Sequence, residues 1–402
     1  MKIGLVCPYT LNHGGVQEHV RALYKNFTAC GHDVRIIAPR QGRESPKKDV
    51  IFIGRGFYAA TPSTGCHLTL GLHYAPVVEE VLEHEKFDIL HFHEPMVPTI
   101  SWFLLTYSKS LNIVTFHRAQ KFSEEEISLY NFFKPFLIPL VVRKFHGRIA
   151  VSQAAEEFAL KHFPGKYAII PNGVDLARFR PQGKKLKRFD DEKINILFVG
   201  RLEQRKGLTF LLQALADVRN ERLRLIVVGD GPLRKDCERF AEKKGLDVFF
   251  EGEVSDTDLP SYYRSADIFC SPAIHGESFG IVLLEAMASG LPIVAFANIG
   301  YKELLADYPL KKLLPAPKDV EGLAHALNLL AKDKKLREKL GLWGRKKAQR
   351  YSWKKVSREV LDYYQKVRAQ KKEKNGVIST TIRATHLPRF VKDLAAAVIE
   401  PY

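Results

Sequence analysis

The sequence predicts an α/β protein built from two doubly wound, parallel-sheet domains. Three observations lead there. Apolar runs of strand length alternate with helically spaced apolar residues along most of the chain. Its 402 residues exceed what one ordinary core holds, so two domains are the default. A polar, basic stretch without periodicity, Phe179 to Lys193, divides the series in two and reads as a linker.

The first series opens with a strand, Lys2 to Pro8, a loop from Tyr9 to Gly15 and a helix from Val16 to Cys30. Gly31 stops the helix, and Val34 to Ala38 is the next strand, which completes a β-α-β unit. The pair Gly14-Gly15 stands where a phosphate or substrate can approach the helix start, although a plain tight turn accounts for it equally well. Phe87 to Phe92 and Ile113 to Phe116 are strands that end in HFHEP and His117. His91, His93 and His117 thus lie at strand carboxyl ends, where open α/β sheets bind ligands; singly, each is more often structural. Phe132 to Val142, FFKPFLIPLVV, is too short and broken to span a bilayer. With Lys134 inside it and Arg143, Lys144, His146 and Arg148 behind, it reads either as an interfacial segment or as a buried helix over the sheet. Ile169 to Asp175 reads as a strand ending in an Asn-Gly turn.

The second series starts with the strand Ile194 to Val199, followed at once by GRLEQRKG. Arg201 and Lys206 there can neutralise a diphosphate without a metal. Strands follow at Leu223 to Val228, Phe249 to Gly252 and Ile268 to Ser271, and Gly229 and Gly231 after the first of these permit close approach by a ligand. The chemistry concentrates in Ser271 to Val294, SPAIHGESFGIVLLEAMASGLPIV. A loop leads into a helix from Phe279, which Gly290 and Pro292 stop before the strand Ile293 to Ala295. Glu277 lies in the loop and Glu285 about two turns into the helix, roughly 12 Å along the axis. Between them the N–H groups of Phe279, Gly280 and Ile281 offer an anion cradle at a positive helix end. A carboxylate, an anion cradle and a second carboxylate suit a sugar, a diphosphate and a ribose in that order; the plainer reading is an amphipathic helix with solvated acids. The Asp256-Thr257-Asp258 triplet follows Ser255 and reads as a capped helix start rather than a metal site.

Composition narrows the class. Apolar residues make up 46%, as in globular proteins. Five scattered cysteines without C-x-x-C spacing point to reduced thiols in a cytosol. The N-terminal MKIGLVCPY lacks the form of a signal peptide, and no apolar run reaches membrane-spanning length. The net charge is +17, and Lys311 to Lys374 alone carries 20 Lys and Arg against 7 Asp and Glu. That balance suggests an anionic partner (nucleotide, nucleic acid or acidic membrane), with a solvated helical face as the bland alternative.

The run ESFGIVLLEAMASG resembles the E-x7-E signature of retaining glycosyltransferases of family 4 (GT4), which have the GT-B fold. PYTLNHGGVQEHV, HFHEP, GRIAVS, IPNGVD and HGESFGIVLLEAM are most similar to the phosphatidylinositol mannosyltransferase branch. The resemblance implies two Rossmann-like domains facing across a cleft, residues 1–180 on the acceptor side and 193–350 on the donor side. A C-terminal helix, 352–367, would cross back to the first domain, and the tail 371–402 has no counterpart. It implies transfer of a hexose, mannose in that branch, from a nucleotide diphosphate sugar such as GDP-mannose to a membrane lipid such as phosphatidylinositol. A soluble sugar or polysaccharide acceptor is the alternative. In the implied site Gly15, Gly200, Arg201, Lys206, Ser278, Phe279, Gly280 and Ile281 hold the donor diphosphate, Glu277 the sugar and Glu285 the ribose. His117 lies near the transferred sugar, and Tyr9, Gln17 and Arg118 face the acceptor. Met96 departs from the branch, which has Asn there, and Met cannot hydrogen-bond a head-group phosphate as Asn can. No cofactor, metal or nucleic acid is implied. The protein is expected at the inner face of the membrane as a peripheral cytoplasmic enzyme, with Lys134, Arg143, Lys144 and Arg148 at the anionic surface.

Overall fold

The computed structural model describes residues 1–11, 14–40, 48–55, 57–60, 65–68, 74–95, 100–119, 141–218 and 220–384. Among these, two parallel sheets form. The strands are β1 (Lys2–Val6), β2 (Asp33–Arg40), β3 (Val50–Arg55), β4 (Phe57–Ala60), β5 (Gly65–Leu68), β6 (Ile89–His93), β7 (Leu111–Phe116), β8 (Gly147–Ala150) and β9 (Ala168–Ile169) in the first domain. The second domain has β10 (Ile194–Val199), β11 (Leu223–Val228), β12 (Val248–Gly252), β13 (Ile268–Ser271) and β14 (Ile293–Ala295). The first sheet runs β3-β2-β1-β6-β7-β8-β9 and the second β12-β11-β10-β13-β14, while β4 and β5 pair as a separate hairpin. In both sheets the strand order reverses beside the first strand, between β1 and β6 and between β10 and β13. That reversal opens a crevice at the carboxyl ends of those strands.

Helices cover the faces: α1 (Gly15–Ala29), α2 (Ala75–Glu85), α3 (Ile100–Tyr107), α4 (Gln153–Leu160), α5 (Leu208–Val218), α6 (Arg234–Lys243), α7 (Leu259–Ser265), α8 (Ile281–Ala288), α9 (Val320–Lys332), α10 (Lys334–Ala348) and α11 (Trp353–Ala384). The central strands are mostly apolar because helices bury both their faces; Leu225, Ile226 and Val227 are fully buried, and the polar exceptions such as His91, Asn112 and Asn195 are buried too. No described helix is long and apolar enough to cross a membrane.

The chain crosses between the domains twice, and the crossings hold each other. Val174 N–H donates to the Tyr351 carbonyl at 2.8 Å, and Trp353 N–H donates to the Val174 carbonyl at 3.2 Å. From Trp353 the last helix returns to the first domain, where Val356, Val360, Tyr364 and Val367 join the core of β1 and α1.

Several expectations change. The strand there is only Ala168–Ile169, so of the expected strand Ile169 to Asp175 only Ile169 is strand; the rest leads into the crossing, where Val174 bridges Ser352. β3 and the β4–β5 hairpin carry no clear alternation and were not anticipated. The returning helix does not end at 367 but runs unbroken to Ala384, so the first part of the expected tail 371–402 continues it. The residues after 384 lie outside the described ones, as do Met96, Lys134 and most of the apolar segment 132–142. The described end of that segment is core: Val141, and Phe145 just beyond it, are buried among first-domain residues.

Candidate active site

The two switch-point crevices face each other, and a cavity of about 470 Å³ lies between them. The first domain contributes Gly14, Gly15, Glu18, His117 and Asn172, and the second Arg205, Lys206, Glu277 to Val282 and Glu285. Gly15 starts α1 so close to the other domain that a Cβ there would meet Ile281 Cδ1 at 3.4 Å. The domains also touch through Ser278, whose Oγ accepts the Ala119 N–H at 3.2 Å. Its carbonyl accepts from the Ser152 hydroxyl at 2.5 Å.

The loop between β13 and α8 is clamped from both sides. Ser271 Oγ and Tyr301 OH share a 2.8 Å hydrogen bond, and Asn298 Nδ2 donates to the Ala273 carbonyl at 2.8 Å. The turn carrying Arg205 and Lys206 closes at Gly207 (φ 72°), where any Cβ would strike the Pro272 carbonyl oxygen. Ile274 N–H donates to the Arg205 carbonyl at 2.8 Å, which ties that turn to the Glu277 loop. Gly280 caps α8 in the left-handed region (φ 91°), with the Tyr301 ring 2.8 Å from where a Cβ would sit. Conformation and the Tyr301 ring, as well as ligand approach, therefore demand glycine there. Leu283 N–H turns back onto the Gly280 carbonyl at 2.9 Å, which leaves the N–H groups before it at the open helix end.

Charge is concentrated on Glu277. Lys206 Nζ lies 2.6 Å and Arg205 Nη1 3.0 Å from its Oε1. Burial pushes this carboxyl up, but the two cations outweigh it and hold it below the usual range. Glu285 behaves oppositely. Burial raises it to about 7, although Tyr263 OH donates to it at 2.7 Å and the Arg178 charge draws it down. One carboxylate is thus locked in the charged form beside two cations, and the other titrates near neutrality at the far end of the anion cradle.

Beneath the cavity lies a histidine network. His93 Nδ1 and His117 Nε2 are 3.0 Å apart, and His19 Nδ1 is 2.8 Å from Asn172 Oδ1. His91 bonds Thr115 Oγ1 and Tyr364 OH, both at 2.6 Å, and is structural. Burial, then repulsion from neighbouring histidines (His19 and His91 for both, His117 also for His93), drives His93 and His117 well below their ordinary value, so they stay neutral. Ring nitrogens of His19, His93 and His117 lie within 4.8 Å of one another. Two ligands on one tetrahedral zinc lie ~3.4 Å apart, so the trio would have to draw together to hold one.

The structure therefore brings Gly15, His117, Lys206, Glu277, Ser278, Phe279, Gly280, Ile281 and Glu285 to one cavity. Arg201 is not among the lining residues; it stands 46% exposed, its Nε 3.8 Å from Glu203. Gly200 packs beneath: Gly229 approaches its carbonyl so closely that a Cβ would overlap it, and Gly231 does the same to Leu202. The GDGP glycines thus admit the neighbouring backbone, which corrects their reading as ligand contacts. Tyr9, Gln17 and Arg118 also lie outside the lining; Gln17 Nε2 donates to the Thr10 carbonyl at 3.3 Å. Ser255 Oγ accepts the Asp258 N–H at 3.1 Å, so the DTD triplet forms a turn leading into α7; the helix's own N-cap, Asp258, makes no side-chain cap bond, unlike the capped start expected. Among the basic residues assigned to a surface, Arg143 is exposed, Lys144 half-buried, and Arg148 lies over the Phe145 ring at 5.5 Å. Sequence reading missed Arg205, although it adjoins Lys206, and Glu18, Asn172 and Arg178, which only tertiary structure brings in.

Two facing Rossmann-like domains with a phosphate-type helix end in the cleft define a GT-B glycosyltransferase. Family profiles agree: "Glycosyltransferase Family 4" matches residues 13–178 and "Glycosyl transferases group 1" matches 180–347. The phosphatidyl-myo-inositol mannosyltransferase of Mycolicibacterium smegmatis is 32% identical over 91% of this chain and 94% of its own. Its namesake in Mycobacterium tuberculosis is 33% identical over 91% and 97%. The chain belongs to glycosyltransferase family 4, is similar over most of its length to phosphatidyl-myo-inositol mannosyltransferases, and is a transferase. A D-inositol 3-phosphate glycosyltransferase of Saccharomonospora viridis is 34% identical over 51% of each chain. Among solved structures, a glycosyltransferase from Rickettsia africae superposes with a TM-score of 0.72 at 19% identity, covering 91% of this chain and 98% of its own. Anabaena HepE, solved with UDP and glucose, superposes at 0.70 and 19%, covering 91% and 100%. These two share the fold.

Proposed function

We propose that the protein transfers mannose from GDP-mannose, with retention, to an inositol-bearing membrane lipid such as phosphatidylinositol, working as a peripheral enzyme at the cytoplasmic face. The observation that carries this reading is the near full-length similarity to phosphatidyl-myo-inositol mannosyltransferases. The cavity supports it chemically. Glu277 accepts hydroxyls of the transferred sugar, and Glu285 those of the ribose. Lys206 and Arg205, now on Glu277, turn part of their charge to the diphosphate, and exposed Arg201 swings in beside them. With the N–H groups at the start of α8 they stabilise charge on the departing diphosphate. Neutral His117 faces the sugar without adding charge. The leaving phosphate takes the acceptor proton, and no covalent nucleophile is assigned. Tyr9, Gln17 and Arg118 orient the acceptor from the first domain.

A soluble inositol phosphate or other sugar acceptor is the second reading, favoured by the match to the inositol phosphate enzyme and by Met96. The test is a panel of GDP- and UDP-sugars offered to the purified protein with phosphatidylinositol vesicles or soluble inositol phosphate. Transfer from GDP-mannose to the lipid is expected. Transfer to soluble acceptors alone would replace the first reading with the second, and no transfer from any nucleotide sugar contradicts both.

A further inference from the structure

We propose that Arg178 is a positioning residue that latches the two domains across the nucleotide end of the cleft. It follows the first crossing, in NGVDLARF, and its guanidinium reaches acids of both domains. Nη1 lies 3.5 Å from Glu18 Oε1, on α1 of the first domain. Nη2 lies 3.3 Å from Asp256 Oδ1 and donates to the Asp256 carbonyl at 2.6 Å, in the second. The guanidinium stands 4.8 Å over the ring of Phe179, itself in the donor-domain core. Arg178 thus travels with the donor domain and grips the first.

The grip falls where register matters. Glu18 is one turn beyond Gly15, whose approach to Ile281 brings the start of α1 against the start of α8. Asp256 precedes α7, and Tyr263 of α7 holds Glu285. Fixing Glu18 against Asp256 therefore fixes the glycine pair over the anion cradle. The contacts of Ser278 with Ala119 and Ser152 tie the cleft elsewhere, so Arg178 is the tie beside Glu285. The ion pairs are partly exposed, Arg178 24%, Glu18 39% and Asp256 51%. Isolated pairs of that kind add little to stability, so the effect should appear in domain closure and donor binding, not in the melting temperature.

The inference rests on the reading of the cleft as a nucleotide-sugar site. The test compares wild type, Arg178→Gln, Arg178→Lys and Glu18→Gln by small-angle scattering, without nucleotide and with saturating GDP, with UDP in parallel so that a wrong base is not mistaken for a failed latch. Steady-state kinetics with whichever donor turns over complete it. Arg178→Gln should keep a larger radius of gyration with nucleotide. Its donor KM should rise about fivefold while kcat falls much less, and Arg178→Lys should recover most of both. Adding Glu18→Gln to Arg178→Gln should change little further, since the Arg178–Glu18 pair is already gone and only the exposed Glu18–Arg21 pair at 3.8 Å remains to be lost. Wild-type compaction and KM in Arg178→Gln, or additive effects in the double variant, overturn the latch. Should Arg178→Gln fail to fold, wild-type values in Glu18→Gln overturn it instead. Should neither nucleotide compact the wild type, the donor reading fails, and equal nucleotide-free profiles for wild type and Arg178→Gln then overturn the latch as well.

Discussion

Replacing Glu277 with Gln removes the carboxylate that Lys206 pairs with and one of the two that Arg205 pairs with, Glu203 remaining on Arg205 at 2.6 Å. Lys206 at 2.6 Å and Arg205 at 3.0 Å would face each other across a neutral amide, with side chains only 10–17% exposed. Breaking a largely buried pair leaves uncompensated charge, and because Gln still accepts a hydrogen bond the cost should be about 2–4 kcal/mol. That corresponds to a fall of about 5–10 °C in the melting temperature of the donor domain. A diphosphate supplies the missing negative charge, so GDP should raise the melting temperature of Glu277→Gln more than that of wild type. The same change removes a hydroxyl-accepting carboxylate, and turnover should fall about 10²–10³-fold. Differential scanning calorimetry with and without GDP, beside a transfer assay, measures all three quantities. Wild-type turnover in a folded Glu277→Gln, or a nucleotide response no larger than that of wild type, would refute the reasoning.

Glu285 sets a pH dependence. Its folded-state value of about 7 lies above the 4.5 of a free glutamate, so its stabilising contribution is full below 4.5 and is lost as pH rises through 7. Chemical denaturation should show wild type losing up to about 3 kcal/mol between pH 5 and pH 8 relative to Glu285→Gln; parallel curves for the two proteins contradict this. Activity should persist in EDTA, because Lys206, Arg205 and the α8 start supply the positive charge; loss restored by a single divalent metal would count against that. The protein should sediment with anionic vesicles and release in high salt, and replacing Lys134, Arg143, Lys144 and Arg148 with Gln should weaken that binding. Equal sedimentation with neutral vesicles points instead to a soluble acceptor.

The strands of the donor domain were legible because parallel strands buried on both faces are written as nearly continuous apolar runs, interrupted by single residues such as Asn195 and Arg224. Ile194–Val199, Leu223–Val228, Ile268–Ser271 and Ile293–Ala295 match expectation residue for residue. The Glu277–Glu285 stretch was legible because loop, helix start and second carboxylate lie on contiguous sequence. What failed was long-range. Nothing local marks Val174 as the partner of Ser352, so the crossing looked like a strand. The Gly229 and Gly231 neighbours are the backbone after β10, about thirty residues away. Arg178 gained its place only when Glu18 and Asp256 closed on it from two domains. Met96 and Lys134 lie outside the described residues.

The most direct measurement is the anomeric configuration of the transferred sugar. After turnover with GDP-mannose and phosphatidylinositol vesicles, the one-bond carbon–proton coupling at C1 of the product reports it. A cleft that stabilises the departing diphosphate on the face where the acceptor arrives predicts the α-anomer, the configuration of the donor. A β-linked product would mean attack from the opposite face, and would contradict the account.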